Sequence, residues 1–194
     1  MKKITEKNNQ LSYNIDSLST KSILKTINKE DAIIPEIINN SISDIEKVVK
    51  DVVRTFNNNG KLFYIGCGTS GRLGVLDAVE CPPTFSTPSN MVQAIIAGGK
   101  NAVYKSVENA EDSKLDAIKI VNESISDKDI VIAISASGEA EYVLSALEES
   151  NKIGAKTCLI SCNKINKKKY INHLISLVVG PEIISGSTRM KAGT

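Results

Sequence analysis

The feature that most constrains this chain is a glycine-rich turn set between two different periodicities. In residues 61–83, KLFYIGCGTSGRLGVLDAVECPP, an apolar run at 62–65 leads into Gly66, Gly68 and Gly71, which surround Thr69 and Ser70. Leu73, Leu76, Asp77 and Glu80 then recur at spacings of three and four, and Pro82 and Pro83 are expected to stop that helix. The order is strand, glycine loop, helix. Such a turn aims backbone N–H groups and the positive end of a helix at an anion, most often a phosphate.

The same residues satisfy G-x-G-x-x-G, the dinucleotide fingerprint. That fingerprint also asks for an acidic residue about 20 positions on, to hold a ribose hydroxyl. The next apolar run, 91–97, ends in Ala97, Gly98 and Gly99 and offers no acid. Thr69 and Ser70 inside the loop suit a compact terminal phosphate, which takes many donors. A phosphate-ester site is the favoured reading; a dinucleotide site and a tight turn without a ligand are the alternatives.

Beyond this stretch the pattern alternates. Apolar runs at 91–97, 129–135, 156–161 and 174–178 read as strands, with helical patterns at 101–106, 113–124 and 139–151 between them. Five strands separated by helices imply an α/β fold: a parallel five-stranded sheet flanked by helices in three layers. In such sheets the ligand sits outside the carboxyl ends of the strands. The second small-residue loop, Ser135, Ala136, Ser137 and Gly138, is expected there beside the first.

Residues 1–58 read as an N-terminal arm with helices, and 59–194 as the phosphate-binding domain. Residues 1–16 are expected to be a poorly ordered arm. Helix-cap chemistry appears at Ser19 and Thr20, a helical piece at 31–40 is expected to break near Pro35, and Ser43 is expected to cap a longer helix. Ile45, Val48, Val49, Val52, Val53 and Phe56 form its expected inner face.

Charge and composition narrow the function. A net charge of +2 over 194 residues gives no case for a nucleic acid or a membrane surface. No apolar run approaches the roughly 18 residues of a membrane span, so a cytoplasmic location is expected. Cys67, Cys81, Cys158 and Cys162 show no zinc spacing and read as reduced, mostly packed thiols, with Cys67 also a candidate lining residue. The one histidine, His173, leaves little room for a serine–histidine triad or a histidine metal site. Acid–base work falls to carboxylates. Glu80 is one candidate. Glu108 and Glu111 are others, with an i, i+3 spacing expected to put both on one helical face.

The motifs GCGTSGRLGVLDAVECPPTF, IIAGG, VENAEDS, LISCN and VVGPEIISGSTRMKAGT, in that order, resemble the N-acetylmuramic acid 6-phosphate etherases of the sugar isomerase (SIS) domain superfamily. The opening NIDSLSTKSILKTINKEDAIIPEII resembles theirs too. The resemblance implies a cytoplasmic homodimer that cleaves the lactyl ether of N-acetylmuramic acid 6-phosphate. The products are N-acetylglucosamine 6-phosphate and D-lactate, and no metal or organic cofactor is implied. It makes Glu80, in the ECPP motif, the proton donor and Glu111 the other active-site residue. The resemblance and the loop reading together give Gly66, Gly68, Thr69, Ser70, Gly71, Ser135, Ser137 and Gly138 as the phosphate site.

Three departures from the family's pattern stand out. The glycine before Ala110 is Asn109. The second loop, usually A-S-G-R-T-P-Y, reads Ala136, Ser137, Gly138, Glu139, Ala140, Glu141, Tyr142, which removes a hydroxyl and adds a carboxylate. Family members continue roughly a hundred residues further, within ordinary domain sizes, so a truncated sequence or fragment is expected. Ser187 and Thr188 look like the cap of a helix about to begin. The alternative function is a phosphosugar-sensing module that binds without turnover. Glu80 is expected to stay protonated near neutral pH, through the negative charge of a phosphate at the nearby anion-binding loop and burial against Pro82 and Pro83.

Overall fold

Three helices precede the first strand: α1 (Thr20–Asp31), α2 (Ile34–Asn39) and α3 (Ile42–Asn57), in a computed structural model that describes residues 3–193. Ser19 caps α1, its hydroxyl accepting from the Ser22 N–H at 3.3 Å. Pro35 lies in the first turn of α2, where a missing N–H is no loss, so it opens a helix instead of breaking one. Ser41, not Ser43, holds the N-cap position of α3. The inner face of α3 is narrower than the sequence suggests. Val48 is buried and Ile45, Val52 and Phe56 pack beside it, while Val49 and Val53 are 52% and 51% exposed. Each follows an inward residue by one position, which is about 100° around the helix.

The alternating part follows as β1 (Leu62–Gly66), α4 (Gly68–Phe85), β2 (Val92–Ile96), α5 (Asn101–Tyr104), α6 (Lys114–Ser124), β3 (Ile130–Ile134), α7 (Glu141–Ile153), β4 (Lys156–Ser161) and β5 (His173–Ser176). The sheet has five strands in the order β2-β1-β3-β4-β5, and every pairing is parallel. The order reverses between β1 and β3, which makes the gap above them the switch point where such sheets hold ligands.

Alternate residues of the strands feed two cores. Leu62, Ile130, Ile132 and Cys158 pack with Val48 of α3 and Ala78 of α4 on one face. Phe63, Ile65, Val131, Ala133 and Leu159 pack with Ala117 and Val121 of α6 and with Val143, Ala146 and Leu147 of α7 on the other. Leu147 is fully buried, and burying one such side chain stabilises by about 1.5–3 kcal/mol.

Pro82 and Pro83 do not stop α4, which runs on to Phe85. Proline forgoes a ladder bond, but its fixed φ near −65° is itself helical. The helix ends at Ser86, in the left-handed region, whose N–H donates to the Pro82 carbonyl at 2.9 Å. The expected arm at 1–16 is ordered where it is described; residues 1 and 2 lie outside the described residues. Thr5 is fully buried, and the Ile4 N–H donates to Asn163 Oδ1 at 2.8 Å. Asn9 Nδ2 donates to Glu30 at 2.7 Å and to the Pro181 carbonyl at 3.0 Å.

At the other end, buried Glu182 accepts from the Lys191 N–H at 3.2 Å and the Ala192 N–H at 3.0 Å. Lys191 reaches back to pair with Glu30. Burial pushes Glu30 up, but the bonds from Lys191 and Asn9 outweigh it and hold the carboxyl below its usual range. Residues 187–190 form turns rather than a helix start, and a 3-10 turn follows at Lys191–Gly193; residue 194 lies outside the described residues. Among the described residues no helix is long and apolar enough to cross a membrane.

Candidate functional site

Two loops meet above the switch point, one after β1 and one after β3. The first is tight because strand and helix nearly touch. A Cβ on Gly66 would lie 2.6 Å from the Gly71 nitrogen, and one on Gly71 would lie 2.7 Å from the Gly66 oxygen. These two glycines therefore serve close packing of β1 on α4 and are not among the residues that line the cavity between the loops. Gly68 has open space around it but a φ of +52°, which favours glycine. Thr69 and Ser70 follow in the first turn of α4, whose N–H groups have no intrahelical acceptor and carry the positive end of the helix.

The second loop folds on its own hydroxyls. The Gly138 N–H donates to Ser135 Oγ at 3.1 Å, and the Glu139 N–H donates to Ser137 Oγ at 3.2 Å. Each serine oxygen thus accepts from the backbone; the two hydroxyls lie 3.4 Å apart, so one donates to the other and one proton is left to donate outward. Gly138, at φ +73°, lines a neighbouring cavity with Lys3 and Glu139 instead.

A cavity of about 370 Å³ lies between the loops, lined by Gly68, Thr69, Ser70, Ser135, Ser137 and Glu111, with Cys67, Ala140, Thr188 and Glu6. That volume is in the range of small-molecule sites. Burial, then the Glu111 and Asp112 carboxylates, push the Cys67 thiol up to about 12, which favours the neutral thiol on this wall. Glu139 pairs with Lys3 away from this cavity. The carboxylate that replaces the family arginine therefore points elsewhere, while Ala140 does face the cavity.

Glu111 stands on a 3-10 turn, Ala110–Asp112, that starts from Asn109 at φ 59° and ψ 2°. Asparagine is among the few side chains that tolerate this region, which glycine adopts readily. Glu108 lies in the preceding turn and not on a shared helical face. Glu108 and Glu111 are instead both among the residues that line an adjacent cavity of about 410 Å³, which shares Cys67, Gly68 and Glu111 with the first.

Glu80 is apart from this group. It is exposed on α4, some three turns beyond Gly68, roughly 18 Å along the axis at about 1.5 Å per residue. It lines neither cavity. Neither the anion-binding loop nor a buried proline turn surrounds it.

Sequence reasoning missed Glu6 and Thr188. Thr188 reaches the cavity because Glu182 folds residues 182–193 back, and the sequence marked it only as a helix cap. Glu6 reaches it because the N-terminal turn is pinned across the second loop by Asn163.

Residues 44–151 match a family model described as the glucokinase regulatory protein N-terminal SIS domain. The chain belongs to this family of SIS domains. It is also 48% identical over 192 residues to an N-acetylmuramic acid 6-phosphate etherase of Bacillus cereus, covering 98% of this chain and 65% of that relative. A Pasteurella multocida protein of the same name is 47% identical over 193 residues, covering 98% and 64%. The chain thus spans about two-thirds of the length of these relatives. Among solved structures, a phosphoheptose isomerase from Neisseria gonorrhoeae matches with a TM-score of 0.62 at 14% identity, over 89% of this SIS chain and 90% of that one. A phosphoheptose isomerase from Francisella tularensis matches at 0.57 and 20%, over 88% and 91%. Identities this low speak to the SIS fold alone.

Proposed function

We propose that this SIS chain binds the phosphate of N-acetylmuramic acid 6-phosphate and cleaves its D-lactyl ether, yielding N-acetylglucosamine 6-phosphate and D-lactate in cell-wall sugar catabolism. One observation carries the reading: four hydroxyls on two loops, a helix N-terminus and the Glu111 carboxylate converge on one cavity at the switch point. The names of the relatives at 47–48% identity support the substrate.

The hydroxyls of Thr69, Ser70, Ser135 and Ser137 hold the phosphate. Glu111 takes the proton from sugar C2. The electron pair forms the C2–C3 double bond as the C3–O bond breaks, and the lactate oxygen takes a proton from Glu80. Water then adds back, hydroxyl to C3 and proton to C2. The balance needs neither a metal nor an organic cofactor.

Glu80 enters this reading only across an interface, as the acid at the cavity of a second copy. Leu76 and Val79, one turn apart on the same helix beside Glu80, are 56% and 57% exposed, which gives a homodimer an apolar face to cover. A cytoplasmic setting accords with four free thiols.

The test is D-lactate release from N-acetylmuramic acid 6-phosphate, with deuterium incorporation at C2 in heavy water. Release by the chain, lost in Glu111→Gln, is expected. The position of Glu80 favours one second reading, a phosphosugar sensor. Tight binding of the sugar phosphate with no lactate released would establish it instead.

A further inference from the structure

The wall of the phosphate cavity carries a carboxylate that the reading above does not use. Glu6 lines it beside Thr69, Ser70, Ser135 and Ser137. Its placement is fixed by its neighbours. Asn163, 2% exposed, donates from Nδ2 to Thr5 Oγ1 at 2.9 Å and to the Ala136 carbonyl at 2.8 Å, and accepts from the Ile4 N–H. One side chain therefore ties the N-terminal turn to the second loop. Lys3, on the same turn, is committed to Glu139. The Glu6 carboxylate has no hydrogen-bond or ion-pair partner among the described residues.

An unpaired carboxylate on the wall of an anion site repels a bare phosphate. It becomes favourable only when the ligand brings donors of its own. A sugar body does so, through its hydroxyls and, in an amino sugar, an amide N–H, and a hydrogen bond to a charged acceptor is among the stronger ones.

We propose that Glu6 is a specificity residue of this site: it accepts hydrogen bonds from the hydroxyl or amide donors of a sugar phosphate and disfavours phosphate alone. The proposal rests on the phosphosugar reading. It makes the N-terminal turn part of the site, tied to the second loop by Asn163.

Calorimetric titration of the full chain with N-acetylglucosamine 6-phosphate and with inorganic phosphate tests it. Glu6→Gln is expected to weaken the sugar phosphate about tenfold, the lower end for a charged hydrogen bond, and to tighten inorganic phosphate. Glu6→Asp keeps the charge but shortens the reach, so it should lose sugar affinity and still disfavour phosphate. A general loosening of the turn would weaken both ligands together, and that result overturns the proposal, as does unchanged sugar-phosphate affinity in Glu6→Gln. Wild-type chain that binds both ligands equally also overturns it while leaving a phosphate site in place. Wild-type chain that binds neither removes the phosphosugar reading, and Glu6 with it.

Discussion

Asn163 holds Thr5 at 2.9 Å, joining residues far apart in the chain through a bond buried at both ends. Its amide also serves the Ile4 N–H and the Ala136 carbonyl. Asn163→Ala would leave the buried Thr5 hydroxyl and the Ala136 carbonyl without this partner. We expect a loss of about 1–3 kcal/mol in urea unfolding and faster proteolytic cleavage within the first residues. Unchanged cleavage would mean that the turn is held by its other contacts.

Thr69 and Ser70 offer hydroxyls at the start of an 18-residue helix. The double alanine variant keeps the backbone N–H groups and loses both hydroxyls. Affinity for a sugar phosphate should fall at least about tenfold, and an unphosphorylated analogue should be unaffected. Equal losses for both ligands in calorimetry would count against a phosphate role.

Ala140 faces the cavity and Glu139 does not. Ala140→Thr alone should therefore tighten phosphate binding by about tenfold, the lower end for one hydrogen bond to a charged group. Glu139→Arg alone should give no gain and should lose the pair with Lys3. Isothermal titration of the two single variants separates these effects.

Gly71 allows α4 to lie against β1. A Cβ there would come within 2.6 Å of Ile96 Cγ1 and 2.7 Å of the Gly66 oxygen. Backbone cannot yield as a side-chain tip does, so Gly71→Ala should destabilise by about 1–3 kcal/mol despite the better helix propensity of alanine. Thermal unfolding measures it, and a variant as stable as the parent would show that the loop can open.

His173 Nε2 and Asp51 Oδ2 lie 2.8 Å apart, joining β5 to α3. The bond from His173 holds the Asp51 carboxyl below its usual range. A lowered carboxylate value adds stability that is complete above the ordinary Asp value of about 4 and is lost as pH falls through the folded-state value. Asp51→Asn should be less stable than the parent near neutral pH, and the difference should shrink as the solution is acidified below about pH 4. A constant difference across that range would remove the charge from the explanation.

Much of the fold was legible because its signals are local. Each strand is an apolar run bounded by turn residues, and each of the five appears close to its expected place. The alternation of strands and helices carries the parallel sheet with it. Thr69, Ser70, Ser135 and Ser137 were legible for the same reason, since loops after strands in such a sheet share one edge. Pro82 and Pro83 misled because proline removes hydrogen bonds without forbidding a helical φ. Val49 and Val53 misled because apolar character does not say which direction around a helix is covered.

By itself, then, the sequence determined the elements, the layer pattern and the two hydroxyl-bearing loops, because periodicity and turn chemistry act over a few residues. Only the tertiary structure decided which carboxylates reach the cavity. Glu111 arrives there because Asn109 accepts a left-handed conformation, and Glu6 because Asn163 fastens a distant turn over the second loop. Glu80 sits in the motif that most resembles a catalytic one, yet the length of α4 carries it away from the cavity between the loops. Such placements depend on contacts between residues far apart in the chain, and no local pattern encodes them.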